Sequence, residues 1–88
     1  MNKKEAQKEY IVQKFIANQT IMRKSIRLAF EKFYETGKYY YLVSTLKLAA
    51  RAVGIEKVLR MTKKYFKKGD YTKMVKSKEF QEFLDFLK

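Results

Sequence analysis

The sequence predicts an all-α fold, a small single helical domain over residues 1–88 with about four helices, and three observations carry that expectation. No proline interrupts the chain; its three glycines, Gly37, Gly54 and Gly69, each follow an amphipathic run; and no stretch sustains the strict apolar–polar alternation of a half-buried strand. Glycine takes the left-handed conformation that closes helices at little cost. Its spacing here divides the chain into four helical segments joined by tight turns, without a linker or an internal repeat.

The first segment, residues 3–36, places Ile11, Val12, Phe15, Met22, Ile26, Ala29, Phe30 and Phe33 on one side of a 3.6-residue helix. Unbroken, it is a long first helix of ~50 Å at ~1.5 Å per residue. Asn18, Gln19 and Thr20 interrupt the stripe, so the helix either bends there or sends its N-terminal half out from the body. A projecting arm needs a second chain to cover its apolar side. The preferred expectation is therefore a homodimer joined through Ile11, Phe15 and Met22.

The second segment, 38–53, offers Leu42, Leu46, Ala49, Ala50 and Val53 to the core, with small side chains where another helix can come close. Tyr39, Tyr40 and Tyr41 point in three directions ~100° apart, which leaves at least one facing solvent. The third segment starts at Ile55 and repeats Val58, Leu59, Thr62, Tyr65 and Phe66 as a buried face. Its other sides carry Glu56, Lys57, Arg60, Lys63, Lys64, Lys67 and Lys68 as a basic helix over 55–68. The last segment, from Asp70, restarts at Ser77 as an N-cap and lines up Phe80, Phe83, Leu84 and Leu87, with Phe86 at the edge. Glu79, Glu82 and Asp85 recur on another face, where acidic side chains suit the dipole of a helix start.

Charge is the strongest functional signal. Twenty-one Lys and Arg against nine Asp and Glu leave a net charge of +12, which attracts polyanions such as nucleic acid or an anionic membrane surface. The excess is concentrated in the middle of the chain, where residues 37–69 hold nine basic side chains and the single acid Glu56, while 70–88 balance four against four. Cysteine and histidine are both absent. That removes disulfides, a thiolate nucleophile, the commonest general base and the two commonest transition-metal ligands. Neither a cofactor nor a metal is expected, and nine carboxylates and three serines show no catalytic spacing. An enzyme is the least supported class. The longest apolar run, 39–43, is far short of the ~20 residues a membrane span requires, and no signal peptide is visible. The expected location is cytoplasmic.

Between residues 46 and 66 the chain reads as helix, glycine turn and basic helix. Ala50 stands four residues before Gly54, Val53 and Ile55 flank the glycine, and Val58 and Leu59 follow in the next turn. This order resembles the helix-turn-helix DNA-binding family over about a quarter of the chain. The resemblance implies that Ala50 lets two helices cross closely, that Gly54 permits the turn and that Val53, Ile55 and Leu46 fill the space beneath. It makes the second helix a groove reader presenting Glu56, Lys57, Arg60, Met61 and Lys64, with Arg60 the candidate for a guanine contact and Lys47, Arg51, Lys63, Lys67 and Lys68 on phosphates. The family's second helix carries buried apolar residues six and nine positions after the glycine, where Arg60 and Lys63 stand here. The apolar face falls one residue earlier, at Leu59 and Thr62, which implies a turn one residue shorter or a different interhelical angle.

The leading functional expectation is thus a small DNA-binding protein of transcription regulation using helix 55–68. Three others compete with it: nucleic-acid binding through phosphates alone; a basic bundle docking on a protein partner or an anionic membrane, similar to bacteriocin immunity proteins and small phage or plasmid inhibitors in size, charge and helicity; and a structural oligomer assembled by the first helix.

Overall fold

Asn18 divides the expected long first helix into α1 (Lys3–Ala17) and α2 (Gln19–Thr36). Its extended backbone, φ −148° and ψ 98°, breaks the helical path, and its side chain serves the new start: Oδ1 accepts from the N–H groups of Thr20 at 3.0 Å and Ile21 at 3.3 Å. The Asn18 N–H meanwhile donates to the Lys14 carbonyl at 2.9 Å, closing α1. One residue is both the end of one helix and the cap of the next. A straight 34-residue helix would measure ~50 Å, whereas the longest dimension of the molecule is 37 Å.

The consequence corrects the expectation of a projecting arm. With the break, α1 lies against α2 and α3, and Phe15 and Met22 are 3% and 0% exposed inside the chain's own core. Ile11 is half-buried against that core. Burying a side chain the size of Phe15 or Met22 contributes ~1.5–3 kcal/mol, and here the chain supplies the cover itself. The three residues proposed to join two copies are thus core or core-margin positions, and the reason for a second chain at this place disappears.

The computed structural model describes residues 2–67, 72–73 and 76–86, with the side chains of 79, 83, 84 and 86 outside that description. The expected turn at Gly69, the basic Lys68, the strip residue Glu79 and the stripe residues Phe83, Leu84, Phe86 and Leu87 therefore lie outside the described residues or side chains. Within them the fold is all-α, as the glycine spacing and periodicity predict, and comprises α1, α2, α3 (Tyr40–Val53), α4 (Ile55–Lys63) and α5 (Lys78–Phe86). No helix of the described residues is long and apolar enough to cross a membrane.

Helix α3 is the hub, packing on each of the other four. Leu42, Leu46 and Ala49 are completely buried along it, and Thr45 turns its hydroxyl back to the Tyr41 carbonyl at 3.0 Å so that a polar side chain can sit in the core. Helix α2 contributes Met22, Ile26, Ala29, Phe30 and Phe33, α4 contributes Val58 and Thr62, and α5 contributes Phe80. The start of α5 is set by Ser77, whose Oγ accepts from the Phe80 N–H at 3.2 Å, as the N-cap reading requires. Phe30 anchors the end of α4: Phe66 meets it edge-on at 4.6 Å and Tyr65 lies at 5.5 Å.

Among the described residues, Gly37 and Gly54 do the turning. Gly37 closes α2 in the left-handed region at φ 73°, its N–H bonded to the Phe33 carbonyl at 2.7 Å. Gly54 stands at φ 94° and ψ 153°, a region open to essentially no other residue.

Candidate nucleic-acid interface

Helix α4 owes its two-sidedness to its sequence. Val58 and Thr62 are fully buried one turn apart, and the Thr62 hydroxyl donates to the Leu59 carbonyl at 3.0 Å. That fixes the opposite side outward, where Glu56, Arg60 and Lys63 are exposed, followed by exposed Lys64 just past the helix. Glu56, Leu59, Arg60 and Lys63 line a shallow depression of about 350 Å³. Met61, expected to face a groove, is half-buried against the core.

The helix is shorter than the sequence suggests. It ends at Lys63, and the backbone tightens into three-residue turns in which Tyr65 N–H donates to Thr62 O at 2.9 Å and Phe66 N–H to Lys63 O at 3.4 Å. The turn delivers both aromatic rings to Phe30, a gain that continued helix would have to forgo. Lys67 then stands on Tyr34, its backbone N–H on the phenol oxygen at 2.8 Å and its ammonium 4.6 Å from the ring centre. Lys64 lies 5.3 Å from the centre of the Tyr65 ring. The basic rod expected over 55–68 is instead a nine-residue helix followed by a basic turn.

Only Gly54 separates α3 from α4. A helix-turn-helix joins its helices by a turn of about 3–4 residues, so the junction here is shorter, in the direction implied by the apolar face falling early at Leu59 and Thr62. Ala50, the small residue of the resemblance, is buried at 7% exposed.

The eight basic residues singled out from the sequence do not form one surface. Arg60 and Lys63 share the α4 depression, while Lys47 and Arg51 line a groove of about 290 Å³ between α3 and α1, together with Lys8, Tyr40, Ser44 and Leu48. Lys57 is half-buried and gives its ammonium to Gln19 Oε1 at 3.0 Å, tying α4 to the start of α2. Arg51 pairs with Glu9 at 2.9 Å. Lys64 and Lys67 follow α4 on the turn, and Lys68 lies outside the described residues.

Sequence reasoning missed one member of the second groove, Lys8, and left another, Tyr40, undecided among three tyrosines. Lys8 carries no local mark, because the face α1 turns to α3 is decided by the break at Asn18. Tyr40 is the solvent-facing tyrosine that the triplet demanded, 79% exposed against 49% for Tyr41, while Tyr39 packs at 4.6 Å on Phe33. Only its position among neighbours 39 and 41 hinted at it.

Compared with models of known protein families, with curated proteins and with solved structures, the chain has no match.

Proposed function

We propose that this chain binds nucleic acid, with duplex DNA as its first ligand, and that it does so through phosphate contacts centred on the outer side of α4. The single observation behind the reading is that Arg60 and Lys63 are exposed on one side of a helix packed through Val58 and Thr62, with Lys64 exposed on the turn just after it and Glu56 the only acid on that helix. A chain of charge +12 brings long-range attraction to the encounter, and phosphates then meet exposed cations. The short junction at Gly54 and the nine-residue α4 favour lying along the backbone over insertion into a major groove. Guanidinium and ammonium groups on such a face carry affinity and orientation, and little sequence information. In a cell, a regulator of this kind would act by coating or bending DNA.

Titration of fluorescently labelled duplexes of unrelated sequence tests the reading. It predicts equal affinities across them, and similar losses for Arg60→Ala and Lys64→Ala. A marked preference for one duplex, lost only with Arg60→Ala, would instead restore base reading, and failure to bind any duplex at low salt would remove the proposal. In that case a protein partner is the reading to pursue, since Tyr10, Ile16, Ile21 and Leu28 are exposed on α1 and α2.

A further inference from the structure

The groove between α1 and α3 has a different chemistry from the α4 face. Tyr40, Ser44, Lys47, Leu48 and Arg51 recur at helical spacing on one stripe of α3, and Lys8 closes the groove from α1. Three cations and an aromatic ring are among the described residues that line it. Glu9 stands beside it and holds Arg51 from the adjoining side at 2.9 Å.

The tyrosines give the second observation. Tyr10 and Tyr41 also face solvent, but each has a lysine ammonium near its ring, Lys14 at 5.3 Å and Lys32 at 5.5 Å. Tyr40 is the most exposed large apolar side chain of the described residues at 79%. A single exposed tyrosine needs no explanation by itself. This one stands at the end of a groove of cations, which is the combination that single-stranded nucleic acid requires: a ring on which a base stacks and positive charge that follows the backbone.

Resting on the nucleic-acid reading above, we propose that the α1–α3 groove is a separate subsite for a short length of single-stranded nucleic acid. One base stacks on Tyr40, and the neighbouring phosphates lie against Lys47, Lys8 and Arg51. Tyr40 and Lys47 are seven residues apart, ~10 Å along the helix, the reach of roughly three stacked bases at ~3.4 Å each. The stretch is too short for a long strand to be wrapped, so it suits a frayed end, a loop or a nicked site on a duplex engaged through α4. Duplex DNA has its bases stacked inward and offers none to Tyr40.

The test compares a labelled oligothymidylate with a labelled duplex on the full chain carrying Tyr40→Ala, Tyr40→Phe or Lys47→Ala. Because the Tyr40 ring is exposed, thermal melting should be the same for wild type and both Tyr40 variants. Tyr40→Ala should weaken single-strand binding at least ~5-fold, the smaller end of what a stacking side chain supplies, and leave duplex affinity unchanged. Tyr40→Phe keeps a ring and should retain single-strand affinity, whereas Lys47→Ala should weaken it with a reduced salt dependence. The subsite is overturned if the duplex binds but oligothymidylate does not, or if Tyr40→Ala binds oligothymidylate as wild type does. Loss of both ligands in the wild-type chain would overturn the parent reading too.

Discussion

Arg51 near the end of α3 donates through Nη2 to Glu9 Oε2 on α1 at 2.9 Å, joining two residues 42 apart in the chain. Each side chain is about two-fifths exposed, so water screens the pair and its net contribution to stability is ~0–1 kcal/mol. In the proposed groove its larger effect would be on binding, because a carboxylate occupies the guanidinium that would otherwise meet a phosphate. Glu9→Gln should therefore leave the melting temperature nearly unchanged and strengthen nucleic-acid binding. A thermal melt and a binding titration on the same variant check both halves; unchanged or weaker binding would mean that Arg51 lies outside the contact.

Asn18 gives the sharpest stability prediction. Its side chain satisfies two amides at the start of α2, and Asn18→Ala removes both bonds while keeping the backbone. The expected cost is ~1 kcal/mol, within the usual range for losing a cap, or a fall in melting temperature of roughly 4–8 °C for a domain this size. Thermal unfolding followed by circular dichroism measures it. No change would show that the break is imposed by packing alone.

Much of the fold is legible in the sequence because it rests on periodicity and on glycine. The stripe through Val12, Phe15, Met22, Ile26, Ala29, Phe30 and Phe33 is buried as the 3.6-residue spacing requires, and Gly37, Gly54 and Ser77 each mark a boundary. Partner choice is not legible in the same way. The amphipathic stripe of α1 is equally satisfied by another copy or by α3, and only the geometry at Asn18 decides, so periodicity alone fits Phe15 and Met22 to a dimer as well as to the core. The end of α4 escaped for a related reason. Tyr65 and Phe66 fit a helical face by spacing, yet packing both rings on Phe30 favours a turn. In the candidate interface, the residue types were legible and their grouping was not: Lys47 and Arg51 line one groove, and Arg60 and Lys63 another.

Gly54 separates backbone strain from crowding. A Cβ placed there meets nothing within 4 Å, yet φ is 94° and ψ 153°. Gly54→Ala should cost ~1–3 kcal/mol from conformation alone, with denaturant unfolding as the readout. A cost near zero would indicate that the α3–α4 junction relaxes into another path.

Phe15→Asp distinguishes a core position from an interface. Phe15 is 3% exposed within a single chain, and an aspartate there exchanges a large apolar side chain for a buried charge without a partner. Loss of ~3–5 kcal/mol for the ring alone is comparable to the whole stability of many domains, so the variant should lose cooperative folding at any protein concentration. A folded Phe15→Asp monomer of native helicity would place that ring outside the core.

Whether the exposed cations on and just after α4 meet phosphates is measured by the salt dependence of duplex binding. If Arg60, Lys63, Lys64 and Lys67 take part, the logarithm of the binding constant falls against the logarithm of salt concentration with a slope of roughly −3 to −4, on the order of 100-fold between ~50 and ~200 mM salt. Replacing Arg60 and Lys64 together by alanine should flatten that slope by about two. A chain that fails to bind duplex even at the lowest salt, or a slope that the double replacement leaves as steep as before, contradicts the proposed contacts.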